Sequence, residues 1–111
     1  MTPAAHEVRL TAAAEQDLHD IWHCIARTSG AARAGHVQDR LLALIESLAH
    51  LPERGAHPRE LLALGMREFR QVGWKPYRVV YRVIGQQVFV LLVADGRRHM
   101  QRLLARRLLS A

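Results

Sequence analysis

The sequence predicts an α+β fold: an N-terminal strand, an antiparallel helical hairpin packed on a small, mainly antiparallel sheet, and a short C-terminal helix. Three observations predict it. Two long stretches carry apolar residues at helical spacing and are separated only by Ser29-Gly30. Three later stretches have strand-like patterns, and two of them are joined by a two-residue turn. No repeat, low-complexity tract or linker interrupts this order, so the 111 residues are expected to form one domain.

Val8 to Thr11 alternates Val8 and Leu10 with Arg9, as a short half-buried strand does. Thr11 stands at an N-cap position, with Glu15 and Asp17 in the first turns of a helix from Ala12 to Thr28. Ala14, Leu18, Ile21, Trp22 and Ile25 share its inner face, and Gln16, His19, Asp20, His23 and Arg27 take the outer one. Ser29-Gly30 ends this helix and starts a second from Ala31 to Leu51. There Ala34, Val37, Leu41, Leu44, Leu48 and Leu51 recur at three and four, with Ile45 widening the stripe. Two such helices across so short a turn fold as a hairpin. Pro52 stops the second helix, and Pro52 to Gly55 forms a turn.

Ala56 to Gly65 reads as either a short helical turn or a covered loop around Leu61, Leu62 and Leu64. Met66 to Val72 has strand content with imperfect alternation. Tyr77 to Val83 is the clearest strand, with Tyr77, Val79, Tyr81 and Val83 on one face and Arg78, Val80 and Arg82 on the other. Gly85-Gln86 turns it into Val88 to Val93, apolar on both faces like a central strand. Asp95-Gly96 ends that strand, and His99 to Leu109 forms a terminal helix bearing Leu103, Leu104 and Leu108. On this plan the sheet face carrying Arg78 and Arg82 is only partly covered.

Half of the residues are apolar, and a chain of this length removes roughly 60–70% of its unfolded surface from water. Cys24 is the only cysteine, so no disulfide forms within the chain, and a lone thiol suits a reducing compartment. Met1 to His6 lacks the pattern of an export leader, and no apolar run approaches the ~20 residues of a membrane span. A cytoplasmic protein with no membrane partner is expected. Sixteen basic residues face ten acidic ones, and all of the basic ones except Lys75 are Arg. A G+C-rich genome accounts for the Arg-to-Lys ratio but not for the net +6, which points to an acidic protein or a nucleic acid as partner.

Several segments together resemble a known family. Leu10 to Ala26 resembles the opening of ParE-type toxins, with Glu15, Asp17, Leu18, Ile21 and Trp22 in place. Arg40 to Leu48, followed by Pro52-Glu53-Arg54-Gly55, resembles their second helix and its exit. Met66-Arg67, Tyr77 to Val83 and Gly96-Arg97-Arg98 resemble the later strands. The match runs from residue 8 to about residue 104. It implies a toxin of the RelE/ParE superfamily, part of a type II toxin–antitoxin system. The implied partners are a labile, acidic and DNA-binding cognate antitoxin and, for the ParE branch, DNA gyrase. RelE-type relatives share the fold but cleave messenger RNA on the ribosome, which is the alternative reading.

RNA cleavage on this fold needs an activator of the 2′-hydroxyl, a proton donor and cations at the phosphate. The resemblance assigns Arg67, Arg78, Arg82, Arg97 and His99 to those roles in the RelE-type alternative, with Arg70 a further cation. No Tyr follows His99, and the RelE branch's lysine-rich pattern is absent. An incomplete acid/base set does not make a nuclease, so the preferred reading has no catalytic residue. The plainer role of Arg78 and Arg82 is a solvated or antitoxin-covered face, and Leu42 and Leu51 are candidates for an apolar antitoxin groove. Trp74, Arg97, Arg98, Arg102 and Arg106 are candidates for target contact, although Trp74 fits equally a cover over the core's edge and the arginines a solvated helix face. Cys24 is expected to be a small buried or half-buried side chain and Trp22 to be core. His19 and His23 stand at the i and i+4 spacing of a metal pair, but two ligands hold zinc poorly, so neither metal nor cofactor is expected. A third reading is a degenerate member that only binds a protein or nucleic acid.

Overall fold

The computed structural model describes residues 5–109; of the stretch read for an export leader, residues 1–4 lie outside it. Strand β1 is Glu7–Leu10, followed by helices α1 (Ala12–Ser29) and α2 (Ala31–Glu46) and a short α3 (Arg59–Leu62). Strands β2 (Phe69–Trp74), β3 (Tyr77–Ile84) and β4 (Gln87–Asp95) and helix α4 (Met100–Leu109) complete the chain. The sheet order is β1-β4-β3-β2, with β1 parallel to β4 and the other pairs antiparallel.

The capping chemistry fixes the hairpin. Thr11 Oγ1 accepts the Ala14 N–H at 3.1 Å, which starts α1. Gly30 ends it at φ 93, a region side chains disfavour, and its N–H returns to the Ala26 carbonyl. One residue thus joins the two helices. Their apolar stripes bury Ala14, Leu18, Val37, Leu41, Ile45 and Leu48 against Val72, Val79, Tyr81, Val88, Val90 and Val93 of the sheet.

Helix α2 ends earlier than its stripe predicts. Residues Ser47–Ala49 tighten into a 3-10 turn, where the Ser47 hydroxyl donates to the Leu44 carbonyl at 2.6 Å. Leu51 therefore leaves the stripe and is 60% exposed. The stretch from Ala56 to Gly65 takes the helical-turn option, as α3. Strand β2 begins at Phe69 rather than Met66 and runs on through Trp74, which the sequence placed outside the strands. The β2–β3 connection is only Lys75-Pro76, so pairing continues to Trp74 opposite Tyr77.

Strand β4 skips one residue against β3: Val80 faces Leu92, whereas Tyr81 faces Val90. The skip inverts the side-chain phase, so Val88, Val90 and Val93 all reach the core beneath the hairpin. It also sends Leu92 and Ala94 to the opposite face. That face is not partly open, as expected, but carries its own core. Leu61, Met100 and Leu104, from α3 and α4, cover Phe69, Val80, Leu92 and Ala94.

Tyr81 is fully buried, and its phenol oxygen accepts the Gly55 N–H at 3.0 Å. A methyl group on Gly55 would lie 2.5 Å from the Gln71 carbonyl oxygen and 2.7 Å from that phenol oxygen. Tyr81→Phe is expected to lower the unfolding free energy by about 1–3 kcal/mol, because it orphans a buried N–H. Gly55→Ala is expected to cost more, since its neighbours are backbone and a packed ring. Urea titrations of the two variants against the parent measure both.

Candidate functional site

The residues expected to gather on the second sheet face are held in different ways. Arg78 projects from β3 beneath α3. Its guanidinium donates to both Glu60 carboxylate oxygens, at 3.0 and 2.9 Å, and to the Gln71 side-chain oxygen through Nε at 2.7 Å and also through Nη2. Its side chain is 18% exposed. The Arg78 hydrogen bonds hold the Glu60 carboxyl below its ordinary range against the opposing effect of burial. Arg82, four residues on, is exposed and lies 5.9 Å from the centre of the Phe69 ring. Arg67 is exposed ahead of β2.

Beyond β4 the chain turns on Asp95, whose carboxylate accepts the Arg97 N–H at 2.9 Å and pairs with its guanidinium at 2.6 Å. The same contact keeps the Asp95 carboxyl below its usual range. His99 Nδ1 accepts the Arg102 N–H at 3.3 Å, so this imidazole spends a nitrogen at the start of α4. Arg98, Arg102 and Arg106 are exposed along this segment. Arg98 also lines a cleft of about 350 Å³ between α1 and the ends of β3 and β4, together with Asp20, Cys24, Tyr77 and Asp95.

The other candidates separate cleanly. Trp74 is half-buried at the end of β2, with the Arg40 guanidinium 5.6 Å from its ring centre and Tyr77 stacked at 6.5 Å. It therefore covers the core's edge. Leu42 is half-buried against the main core, while Leu51 is exposed. Cys24 is exposed, not buried, because it sits one position off the α1 stripe and faces the cleft. Trp22 is half-buried but belongs to neither core, and its ring meets His23 edge-on at 5.2 Å. His19 and His23 bring their Nε2 atoms to 3.0 Å on the exposed side of α1. No group of three metal-ligating side chains occurs among the described residues.

One contact was invisible in the sequence. The Asp17 carboxylate takes both terminal nitrogens of Arg107, each at 2.8 Å, and also accepts the Val93 N–H at 3.0 Å. Arg107 Nη1 donates further to the Leu91 carbonyl at 2.6 Å, and the Asp17 hydrogen bond raises its proton affinity above the ordinary arginine value. Asp17 read as a first-turn helix charge and Arg107 as part of a basic run. Only the fold joins them.

A strand, a helical hairpin and three antiparallel strands closed by a basic helix define the RelE/ParE class of toxin domain. Residues 8–100 match the family described as ParE toxin of type II toxin-antitoxin system, parDE, and the chain belongs to that family. Its fold is similar to the chromosomal ParDE system of P. aeruginosa, at TM-score 0.69 and 17% identity over 82% of this chain and 96% of that one. It is also similar to the RelBE2 toxin–antitoxin complex of Mycobacterium tuberculosis, at TM-score 0.61 and 21% identity over 82% and 98%. A double arginine-to-alanine mutant of free E. coli RelE aligns at TM-score 0.50 and 21% identity over 92% and 97%. At these identities the likeness is one of fold. No curated protein matches the sequence. Among the described residues no helix is long and apolar enough to cross a membrane.

Two stability tests follow from the charge pairs. Glu60 has a folded pKa below its ordinary value of 4.5, so its pairing stabilises the protein above that pH and is lost as pH falls through the folded value. The urea midpoint should drop on acidification below about pH 4.5, and Glu60→Gln should remove that part of the slope. Asp17→Asn should cost about 2–4 kcal/mol, because it leaves Arg107 half-buried without its carboxylate. Hydrogen exchange at the Val93 amide should rise with it.

Proposed function

We propose that this toxin arrests replication by binding DNA gyrase, not by cutting RNA, and that a cognate antitoxin holds it inactive. One observation carries the reading: Arg78, the cation on the central strand of the candidate nuclease face, is committed to Glu60 and Gln71 under α3. Beside it the face is filled by apolar packing of α4, an arrangement that suits a binding surface better than a site gathering Arg78 and His99 around a phosphate. Membership of the ParE family supports gyrase as the target.

The gyrase contact is assigned to the exposed arginines around α4, namely Arg97, Arg98, Arg102 and Arg106, with Trp74 at the same end of the sheet, two strands across from Asp95. Arg97 reaches the target with its charge partly offset by Asp95. The antitoxin, an acidic and DNA-binding protein like the partner this family implies, finds exposed Leu51 and Arg82 as its anchors. Leu42 and Arg78, more covered, contribute from beneath. The chain acts as one toxin domain in the cytoplasm, where gyrase resides.

Purified chain is expected to inhibit supercoiling by gyrase, and co-purified antitoxin to restore it. Alanine at Arg98 and Arg102 together should raise the inhibitory concentration about tenfold, equivalent to loss of one good charged contact. Unchanged supercoiling with no trapped cleaved DNA would overturn the reading. Primer extension that finds cut, translated transcripts would replace it with ribosome-dependent endonuclease activity.

A further inference from the structure

A second basic surface lies at the edge where α2 meets β2, away from the arginines of α4. Arg33, His36 and Arg40 follow each other at spacings of three and four along α2 and form one exposed stripe. Asp39, three residues after His36, borders this stripe, while Glu46 lies farther round the helix. The stripe ends on Trp74, which Arg40 overlies at 5.6 Å and His36 meets edge-on at 6.0 Å. Next to it Arg54 donates to Ser47 Oγ at 2.9 Å. Arg40, Arg54, Ser47 and Trp74 line a cleft of about 250 Å³ to which no carboxylate contributes.

These cations are kept close together without an anion. The ion pairs of the described residues join Arg9 to Glu7, Arg78 to Glu60, Arg97 to Asp95 and Arg107 to Asp17, and none involves Arg33, Arg40 or Arg54. Like charges gathered in this way repel each other and gain most from an incoming anion. The geometry is also preorganised. Stacking on the indole occupies the face of the Arg40 guanidinium but leaves its in-plane N–H donors open. Ser47 uses one Arg54 nitrogen and leaves the others to solvent.

We propose that this edge is a phosphate-binding site for the phosphodiester backbone of nucleic acid, centred on Arg40 and on Arg54, which Ser47 holds in place, and extended by Arg33 and His36. A run of cations along a helix suits a polymer with regularly spaced charges better than a folded acidic protein. Trp74 is already covered by Arg40 and stacked with Tyr77, so it offers neither an open socket for a partner's side chain nor a free platform for a base. Binding is therefore to the backbone and carries little sequence preference. The assignment does not depend on gyrase being the target, because it concerns the free chain and nucleic acid alone.

The test is fluorescence anisotropy with a labelled DNA duplex of arbitrary sequence, titrated from low to moderate salt. Arg40→Ala combined with Arg54→Ala should weaken binding at least tenfold at the lowest salt. It should also reduce the slope of log affinity against log salt by about 2, close to one unit per lost phosphate contact. Arg27→Ala with Arg59→Ala removes the same charge from exposed positions elsewhere and should change affinity by less than about threefold, as expected of charges outside the contact. Equal losses from the two double variants would overturn the proposal in favour of a diffuse basic surface. So would loss from neither. Competition by inorganic phosphate at the same phosphate concentration as the duplex would reduce the site to an isolated anion pocket and overturn the backbone assignment.

Discussion

The architecture turns on a mismatch in strand length. Strand β1 stops at Leu10, opposite Val90, but β4 continues to Asp95. Beyond Val90 the edge of β4 that faces α1 has no neighbouring strand, and its backbone groups need other partners. Asp17 on α1 takes the Val93 N–H, and Arg107 on α4 supplies the Leu91 carbonyl. Those two side chains then bind each other through two hydrogen bonds. A gap in the sheet is thus closed by a clamp that also joins the two outer layers. The residue skip in β4 lies in the same stretch, and it sends Val93 to the hairpin core and Leu92 to the α4 core. Strand length, phase inversion and the position of α4 are therefore one linked solution.

The clamp has a functional consequence. With α4 fixed across the second face, the apolar side chains of that helix complete a core, Arg107 turns inward and Arg102 and Arg106 stay exposed. The face expected to display Arg78 displays α4 instead. Charge then separates by burial. Arg78 and Arg107 are enclosed with carboxylates, where the loss of hydration is offset by bidentate geometry. Arg97 keeps its carboxylate at the surface, where such a pair is worth little. Two groups of exposed arginines then stand out, one around α4 and one along the α2–β2 edge, besides single exposed arginines such as Arg27, Arg59, Arg67 and Arg82.

How much of this could be read from sequence depended on how local the cause was. The helical stripes, Thr11 as a cap, Gly30 as the hinge and Gly85-Gln86 as the hairpin turn are local, and all were legible. The end of α2 was not, because Ser47 trades a helical continuation for a hydrogen bond to Leu44 that no periodicity announces. Strand β2 was misplaced because the pairing of Trp74 with Tyr77 follows from the partner strand, not from alternation within Met66 to Val72. Cys24 and Trp22 sit at the margins of the α1 stripe, where a small rotation decides exposure. The clamp was wholly illegible, since its two residues lie at opposite ends of the chain and each has an ordinary local explanation. The surroundings of Arg78 were hidden for the same reason: it looked free only because Glu60, on an element of uncertain structure, was not known to reach it.

Arg54 and Arg70 show how the fold decides what an arginine is for. Strand β2 is the outermost strand and exposes an edge that would otherwise invite pairing with another chain. The segment after α2 closes it: Ala56 exchanges both backbone hydrogen bonds with Gln71, at 3.1 and 2.7 Å. Arg70 reinforces the closure by donating to the Gly55 and Glu53 carbonyls at 2.8 and 3.1 Å. Gly55 is fixed there by the buried Tyr81, so the loop cannot move outward without breaking a core hydrogen bond. Arg54 belongs to the same loop but faces the α2 side, where its guanidinium donates to the Ser47 hydroxyl. One arginine is spent on carbonyls that the fold must satisfy, and its neighbour is held in place with donors to spare. Composition counts the two as equal charges; the direction of the loop makes one structural and leaves the other to meet an anion.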